Sequence, residues 1–461
     1  MACGCGNALV YFHDGTRLDV TVSAAPISLF LLVGQSNAEG RINDLNRADI
    51  YKSEWIINPE GSVYSTYGVS DNRDNMDMYE EVAWYEDVDG VGPFGVQNYE
   101  RFLPKSLTDN SKNNRYNRTN SLTDAKDAIG KGGIDSALGY KWHQLTGEKV
   151  WIVNASRHGS SIKYWNPGDK TQSNFFWAAV NLYSGAEAIL DQEIEAGHYI
   201  LSHKGIFWCQ GEADGYLKLT PNQYVDLFDS MHMSFFQQLD GRETRNLDRD
   251  MEFFGIIIPR ASLLRPNEGE DYTLCGARMV QYYETMSEEY PQIYMASALT
   301  DLWTDDDSVR EYFLNKYESE DAFNNAFPMP ADNVSIPSTL NDVHETIHYT
   351  QLGYNEIGYD AAYNICCALG LYEPEIKEVQ SVSYITDDGI TIRNGQNIIM
   401  PEKRRQLLAV RILPSYLSKQ VHLEMSDNLD FSVLGVRLKK GQEGSISVHL
   451  DGKEDSITFS R

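Results

Sequence analysis

Three stretches of this chain hold residues whose types and spacing could do chemistry. Ser36 sits in Gly34-Gln35-Ser36-Asn37, directly after the apolar run Ile27-Ser28-Leu29-Phe30-Leu31-Leu32-Val33. A serine delivered at the C-terminal edge of a buried parallel strand is placed as an open α/β sheet presents a nucleophile. A strand that merely ends in a polar turn has the same pattern, and the G-x-S-x-G elbow is not met because Ala38 takes the last glycine position. A second strand-like run, Lys149-Val150-Trp151-Ile152-Val153, is followed by small residues and Gly159. A glycine there brings a backbone N–H to the end of the strand, the kind of donor acyl transfer needs where an oxyanion forms, although a βα turn also uses glycine for its backbone freedom.

The third stretch, His344-Glu345-Thr346-Ile347-His348, is a literal H-E-x-x-H. On a helix this spacing puts two imidazoles on one face to bind zinc, with the glutamate as general base. Glu373 is a candidate third ligand. Against this, Thr346, Ile347, Tyr349 and Thr350 are poor helix formers, and the extended zinc signature lacks its glycine and third histidine. A zinc metallopeptidase is therefore the alternative reading of these residues.

The elements that must position such groups follow from the pattern of the chain. Its 461 residues, 42% hydrophobic, suit a large domain with a small one. From 27 to about 371, short apolar strands alternate with helical patterns, as in a parallel sheet covered on both faces. Strands are expected at 27–33, 149–153, 205–209, 253–258 and 293–298. Helices are expected at 135–146, 175–196, 221–239, 273–290 and 353–369. Residues 8–22 read as a hairpin around Asp14-Gly15, which precedes the main sheet and is a candidate to pack on the C-terminal domain. After Pro374 seven short runs separated by Asp-Gly, Asn-Gly and Lys-Lys-Gly turns predict a small β-sandwich that braces the larger domain. The organisation expected is thus a hairpin at 1–26, an α/β domain at 27–373 and a sandwich at 374–461. The Asn-, Asp-, Tyr- and Gly-rich excursion 43–133 is expected to form one wall of a substrate site.

Bulk properties exclude several partners. A formal net charge of -28 argues against nucleic acid and anionic membrane surfaces. No apolar run reaches membrane-spanning length and no export signal follows Met1, which places the chain in the cytoplasm unless a leader has been removed. The six cysteines form neither a disulfide framework nor paired zinc clips, and Cys366 and Cys367 read as small buried hydrophobes. Twenty-eight Tyr and eight Trp include rings suited to sugar faces, although packing accounts for most.

The Ser36 stretch resembles the first sequence block of the SGNH hydrolases, and more closely that of their carbohydrate-esterase branch, the sialate O-acetylesterase and acetylxylan-esterase-like proteins. Further blocks carry the resemblance in order. Trp208-Cys209-Gln210-Gly211-Glu212-Ala213-Asp214 is similar to the branch's W-x-Q-G-E-x-D, and His348 followed by Gly353 and Gly358 is similar to its last block. The resemblance implies a flavodoxin-like, three-layer α/β domain with Ser36 as nucleophile and His348 as its base. It implies an oxyanion hole of Ser36, Gly159 and Gln210. Gln35, Asn37, Glu212 and the Arg278–Gln281 pair would support the site. The superfamily carries Asp three residues before the histidine, and here that residue is Glu345; Asp342 is the fallback acid, and a Ser–His dyad is the third arrangement.

The expected activity is removal of O-acetyl groups from a carbohydrate, with no metal or cofactor. Besides the metallopeptidase, an inactive glycan-binding protein on the same fold is the competing expectation, since fold does not fix function. The sugar and the oligomeric state are not legible.

Overall fold

The computed structural model describes residues 6–39, 63–67, 83–86 and 134–461, leaving out 12, 14–15, 158, 168–174, 218, 242–246, 260–275, 327–335, 344–347, 387–390, 401–404, 440–441 and 451–452. Most of the excursion 43–133, with His344 and Glu345, therefore lies outside the described residues.

The chain opens with an antiparallel hairpin, β1 (Gly6–Tyr11) and β2 (Arg17–Val22), then enters the main sheet at β3 (Ala25–Gly34). The short helix α1 (Ser36–Glu39) follows at once. Two strands, β4 (Val63–Tyr67) and β5 (Ala83–Glu86), precede α2 (Asp135–Thr146), β6 (Lys149–Asn154), α3 (Phe175–Glu195) and β7 (Tyr199–Cys209). Next come α4 (Glu212–Tyr216), α5 (Pro221–Leu239), β8 (Phe253–Ile257), α6 (Gly276–Met286) and β9 (Ile293–Ser297). The large domain closes with α7 (Asp306–Tyr317), α8 (Glu320–Ala326), α9 (Leu340–Val343) and α10 (Gln351–Ala368).

The sheet order is β5-β4-β6-β3-β7-β8-β9, and every neighbouring pair is parallel except β4 with β5. In the five-stranded parallel core the chain starts at β3, steps outward to β6, then reverses and builds β7, β8 and β9 on the other side. That 2-1-3-4-5 order puts a topological switch point beside β3, where doubly wound sheets open a crevice at the carboxyl ends of their strands.

Side-chain alternation along β3 makes the layers. Ile27, Leu29, Leu31 and Val33 pack with Tyr183 of α3, Phe228 of α5 and Val280 of α6 in one cluster. Phe30 and Leu32 pack with Trp142 of α2, Phe313 of α7 and Ile357 of α10 in another. A strand buried on both faces has to be apolar at nearly every position, which is why it reads as an unbroken run.

Beyond residue 380 nine strands form three small sheets. β10 (Ser381–Thr386) lies between β11 (Thr391–Ile392) and β13 (Leu408–Leu413). β12 (Asn397–Ile399), β18 (Lys453–Ser460), β17 (Gly444–Leu450) and β14 (His422–Met425) make the second sheet, and β15 (Leu429–Ser432) pairs with β16 (Gly435–Leu438). They share one core around Tyr384, Val410, Val436, Ile446 and Phe459. Two strands more than the sequence pattern predicts are present, β12 and β15. This region is fastened to the α/β part: Lys419 donates to Glu284 O at 3.3 Å and Tyr290 O at 2.8 Å, and Arg411 to Asp301 O at 2.9 Å. Met286, Tyr363 and Cys367 pack against the C-terminal core.

Candidate active site

Three strand ends meet at the switch point, and backbone geometry forces them together. Gly34, the last residue of β3, has φ of +149°, and a Cβ there would stand 1.9 Å from Cys209 O. Only glycine lets β3 finish that close to β7. From this position Gln35 ties the Ser36 turn to the Gln210 turn: its N–H donates to Cys209 O at 3.1 Å, and its Oε1 accepts from Ala213 N at 3.0 Å. On the other side Arg157 N donates to Gly34 O at 2.8 Å, extending the β3–β6 ladder past the strands and carrying the Gly159 turn alongside.

Ser36 is buried, at 6% exposure, on the first residue of α1. Among the described residues nothing hydrogen-bonds its Oγ. Gly159 is exposed at the tip of its turn with φ of +63°, a left-handed conformation that glycine adopts without strain.

Gln210 is fully buried and its amide is engaged on every side. Nε2 donates to Ser160 O at 2.9 Å and to Asp214 Oδ2, while Oε1 accepts from Tyr224 Oη at 3.1 Å. Two acceptors facing Nε2 and a hydroxyl facing Oε1 fix the orientation of the amide. Gln281 of α6 steadies the same turn, donating from Nε2 to Gln210 O at 2.7 Å and Tyr224 Oη at 2.9 Å. Arg278, one turn earlier, forms a buried ion pair with Asp301.

Asp214 bridges the turns after β7 and β6. It accepts from Ser161 Oγ at 2.6 Å and Ile162 N at 3.0 Å, besides Gln210. Burial raises its pKa, partly offset by those bonds. Sequence reasoning did not find Ser160 or Ser161 as parts of the network. Their role comes from pairing across about fifty residues of chain, which no local pattern records.

Asn37 links the Ser36 turn to the last helix. Its Nδ2 donates to Glu212 Oε1 at 2.7 Å, and its Oδ1 accepts from Tyr354 Oη at 3.1 Å. Glu212 is almost wholly buried and its Oε2 has no partner among the described residues. Burial pushes its pKa up to about 7, against the Asn37 bond and the nearby Arg278 charge. The carboxyl group therefore changes charge within the physiological range.

His348 is half-buried in a bend just before α10. Its surroundings are pinned: Thr350 N donates to Val343 O at 3.0 Å, and Gly353 faces the same carbonyl so closely that a Cβ would stand 2.2 Å from it. The zinc arrangement needs His344 and His348 on one helix. His348 lies in a bend, and His344 and Glu345 lie outside the described residues. Asp342 uses its Oδ2 locally, accepting from Ser338 N, Thr339 N and Thr339 Oγ1 at 3.0–3.1 Å.

No family model matches the chain, and no curated protein matches it in sequence. Among solved structures it is similar to a protein from Arabidopsis thaliana, with 14% identity and a TM-score of 0.34, over 73% of this chain and 96% of that one. It is similar to NanS, with 10% identity and a TM-score of 0.39, over 76% and 99% of the two chains. The third similarity is to a carbohydrate acetylesterase from Xanthomonas citri, with 11% identity and a TM-score of 0.35, over 97% and 75%. No helix among the described residues is long and apolar enough to cross a membrane.

Proposed function

We propose that the chain is a serine esterase that removes O-acetyl groups from a carbohydrate. The observation that carries this reading is the convergence of three turns on Gly34: the Ser36 turn, the Gly159 turn and the Gln210 turn, side by side at a sheet's switch point. Asn37 reaching Tyr354 supports it further, because α10 is the element that follows His348.

In this mechanism His348 takes the Oγ proton as Ser36 attacks the acetyl carbonyl carbon. The tetrahedral oxyanion is held by the N–H groups of Ser36 and Gly159. Gln210 joins them when its Nε2 exchanges the Ser160 carbonyl for the oxyanion. Collapse expels the sugar oxygen, which receives the proton from His348 and leaves an acetyl ester on Ser36. Water then attacks that ester with His348 as base, and acetate departs as Ser36 recovers its proton. Glu345 orients the imidazole, with Asp342 as the fallback. Glu212 and Arg278 hold the loop framework.

The test is hydrolysis of 4-nitrophenyl acetate by wild type, with and without a zinc chelator, beside Ser36→Ala and His348→Ala. The expected result is chelator-resistant activity that falls at least ~1,000-fold in both variants with unchanged melting temperature. Activity lost on chelation and kept in Ser36→Ala would overturn the reading in favour of zinc chemistry. No acetyl-ester turnover by wild type would favour a glycan-binding protein.

A further inference from the structure

We propose that Tyr164 and Tyr216 form an aromatic platform beside Ser36 on which the sugar ring of the ester substrate stacks. The inference rests on the esterase reading and names what that site would recognise beyond the acetyl group.

Both rings belong to elements that leave the site's own turns. Tyr164 lies on the short 3-10 helix Ile162–Trp165, which follows Gly159, Ser160 and Ser161. Tyr216 ends α4, which follows Gln210. Asp214 binds the two elements together, since it lies on α4 and accepts from Ser161 Oγ and Ile162 N. Each tyrosine is two residues from an end of that bridge.

The same bonds decide which side chains face outward. In the 3-10 helix Trp165 is fully buried, its Nε1 donating to Ser160 Oγ at 3.0 Å, so its neighbour Tyr164 is turned out and is 46% exposed. In α4 Glu212 and Asp214 point inward, and Tyr216 and the following Leu217 are 69% and 55% exposed. Tyr164 is not loose: its ring rests against Phe175, with centroids 5.7 Å apart. A supported, half-exposed ring on an element that Asp214 ties to the one carrying a second exposed ring is costly to leave in water and suits an amphipathic ligand. A pyranose fits, because it offers an apolar C–H face to the ring and hydroxyls to the rim.

An acetyl group is too small to supply much binding energy, so discrimination among acetyl esters has to come from contacts with the leaving group. The platform supplies that contact, and its loss should show only with sugar esters.

The experiment compares wild type, Tyr164→Ala, Tyr216→Ala, the double alanine variant and the two single Phe variants. Two substrates are used, 4-nitrophenyl acetate and glucose pentaacetate. Expected is a fall of about tenfold or more in kcat/KM for the sugar ester in the double alanine variant, mostly through KM. Activity on 4-nitrophenyl acetate should stay within about twofold, and the Phe variants should keep sugar-ester activity. Sugar-ester activity retained in the double variant overturns the platform. So does an equal fall on both substrates, which would mean the rings merely support the turns. Wild-type turnover of 4-nitrophenyl acetate without turnover of the sugar ester also overturns the platform while leaving the esterase standing. Turnover of neither ester by wild type removes the esterase and the platform together.

Discussion

The two edges of the parallel sheet use buried polar groups in opposite ways. At the N-terminal edge His203 of β7 is held on both sides, with Nδ1 2.6 Å from Glu252 and Nε2 3.2 Å from Glu148. Glu148 Oε2 also accepts from Ser28 Oγ at 2.5 Å and Trp142 Nε1 at 3.0 Å. Lys204, next along the strand and fully buried, pairs with Glu187 at 2.9 Å and donates to Leu239 O at 2.6 Å. These groups hold one another, so the cluster fastens β3 and β7 to the starts of β6 and β8. At the C-terminal edge the bonds run from turn to turn and leave Glu212 Oε2 without a partner among the described residues. A satisfied network rigidifies, while an unsatisfied one is where chemistry can be done.

That contrast can be broken or sharpened by substitution. The largest effect is expected from Gly34→Ala, which sets a Cβ against Cys209 O and forces a strained φ. It should cost about 3 kcal/mol or more and abolish activity, read by denaturant unfolding and ester turnover. A well-folded, active Gly34→Ala protein would mean that the strand ends can separate without harm.

His203→Gln should come next, costing about 2 kcal/mol at neutral pH with kcat/KM changed less than twofold. If activity fell in step with stability, the two edges would not be separable. Burial by itself would lower the His203 pKa, but the bonds and charges of Glu148 and Glu252 outweigh it and raise it to about 9. A folded pKa above the unfolded value near 6.5 stabilises fully below that value, and the contribution is lost as pH climbs through 9. Thermal melts from pH 6 to 10 should therefore slope downward in wild type and less so in His203→Gln.

The smallest effect belongs to Glu212→Gln. Burial raises this acid to about 7, so its protonated form favours folding and the contribution is lost as pH rises from about 4.5 through 7. The amide should flatten the melting curve across that window and lower kcat/KM less than tenfold. A larger loss of kcat would give the carboxylate a direct part in the reaction.

Much of the sheet was legible because strands buried on both faces are apolar throughout, as in β3 and β8. β7 begins six residues before the expected 205 because Ser202, His203 and Lys204 interrupt the apolar pattern. Their partners, Glu148, Glu187 and Glu252, lie far away in sequence. The helix expected to run to 290 ends at Met286, and Lys419, more than a hundred residues later, takes carbonyls from its end. β12 is three residues long and pairs in parallel with β18, an arrangement with no local signature. At the site, Ser36, Gln210 and Gly159 stood out as residues at strand ends. Gln35 and Asn37 were expected to support the site, but which turns they and Asp214 join was not legible, because those turns meet only in the folded sheet.

Lys419 has a consequence for how the chain can be divided. It lies in the C-terminal region yet caps the end of α6, the helix whose Gln281 grips the Gln210 turn. A chain cut at Pro374 would leave that helix end bare and uncover Met286. The C-terminal sheets also place Ile385 and Ala409 in the core around β3 and α6, so removing them would strip packing from the helix that holds the Gln210 turn.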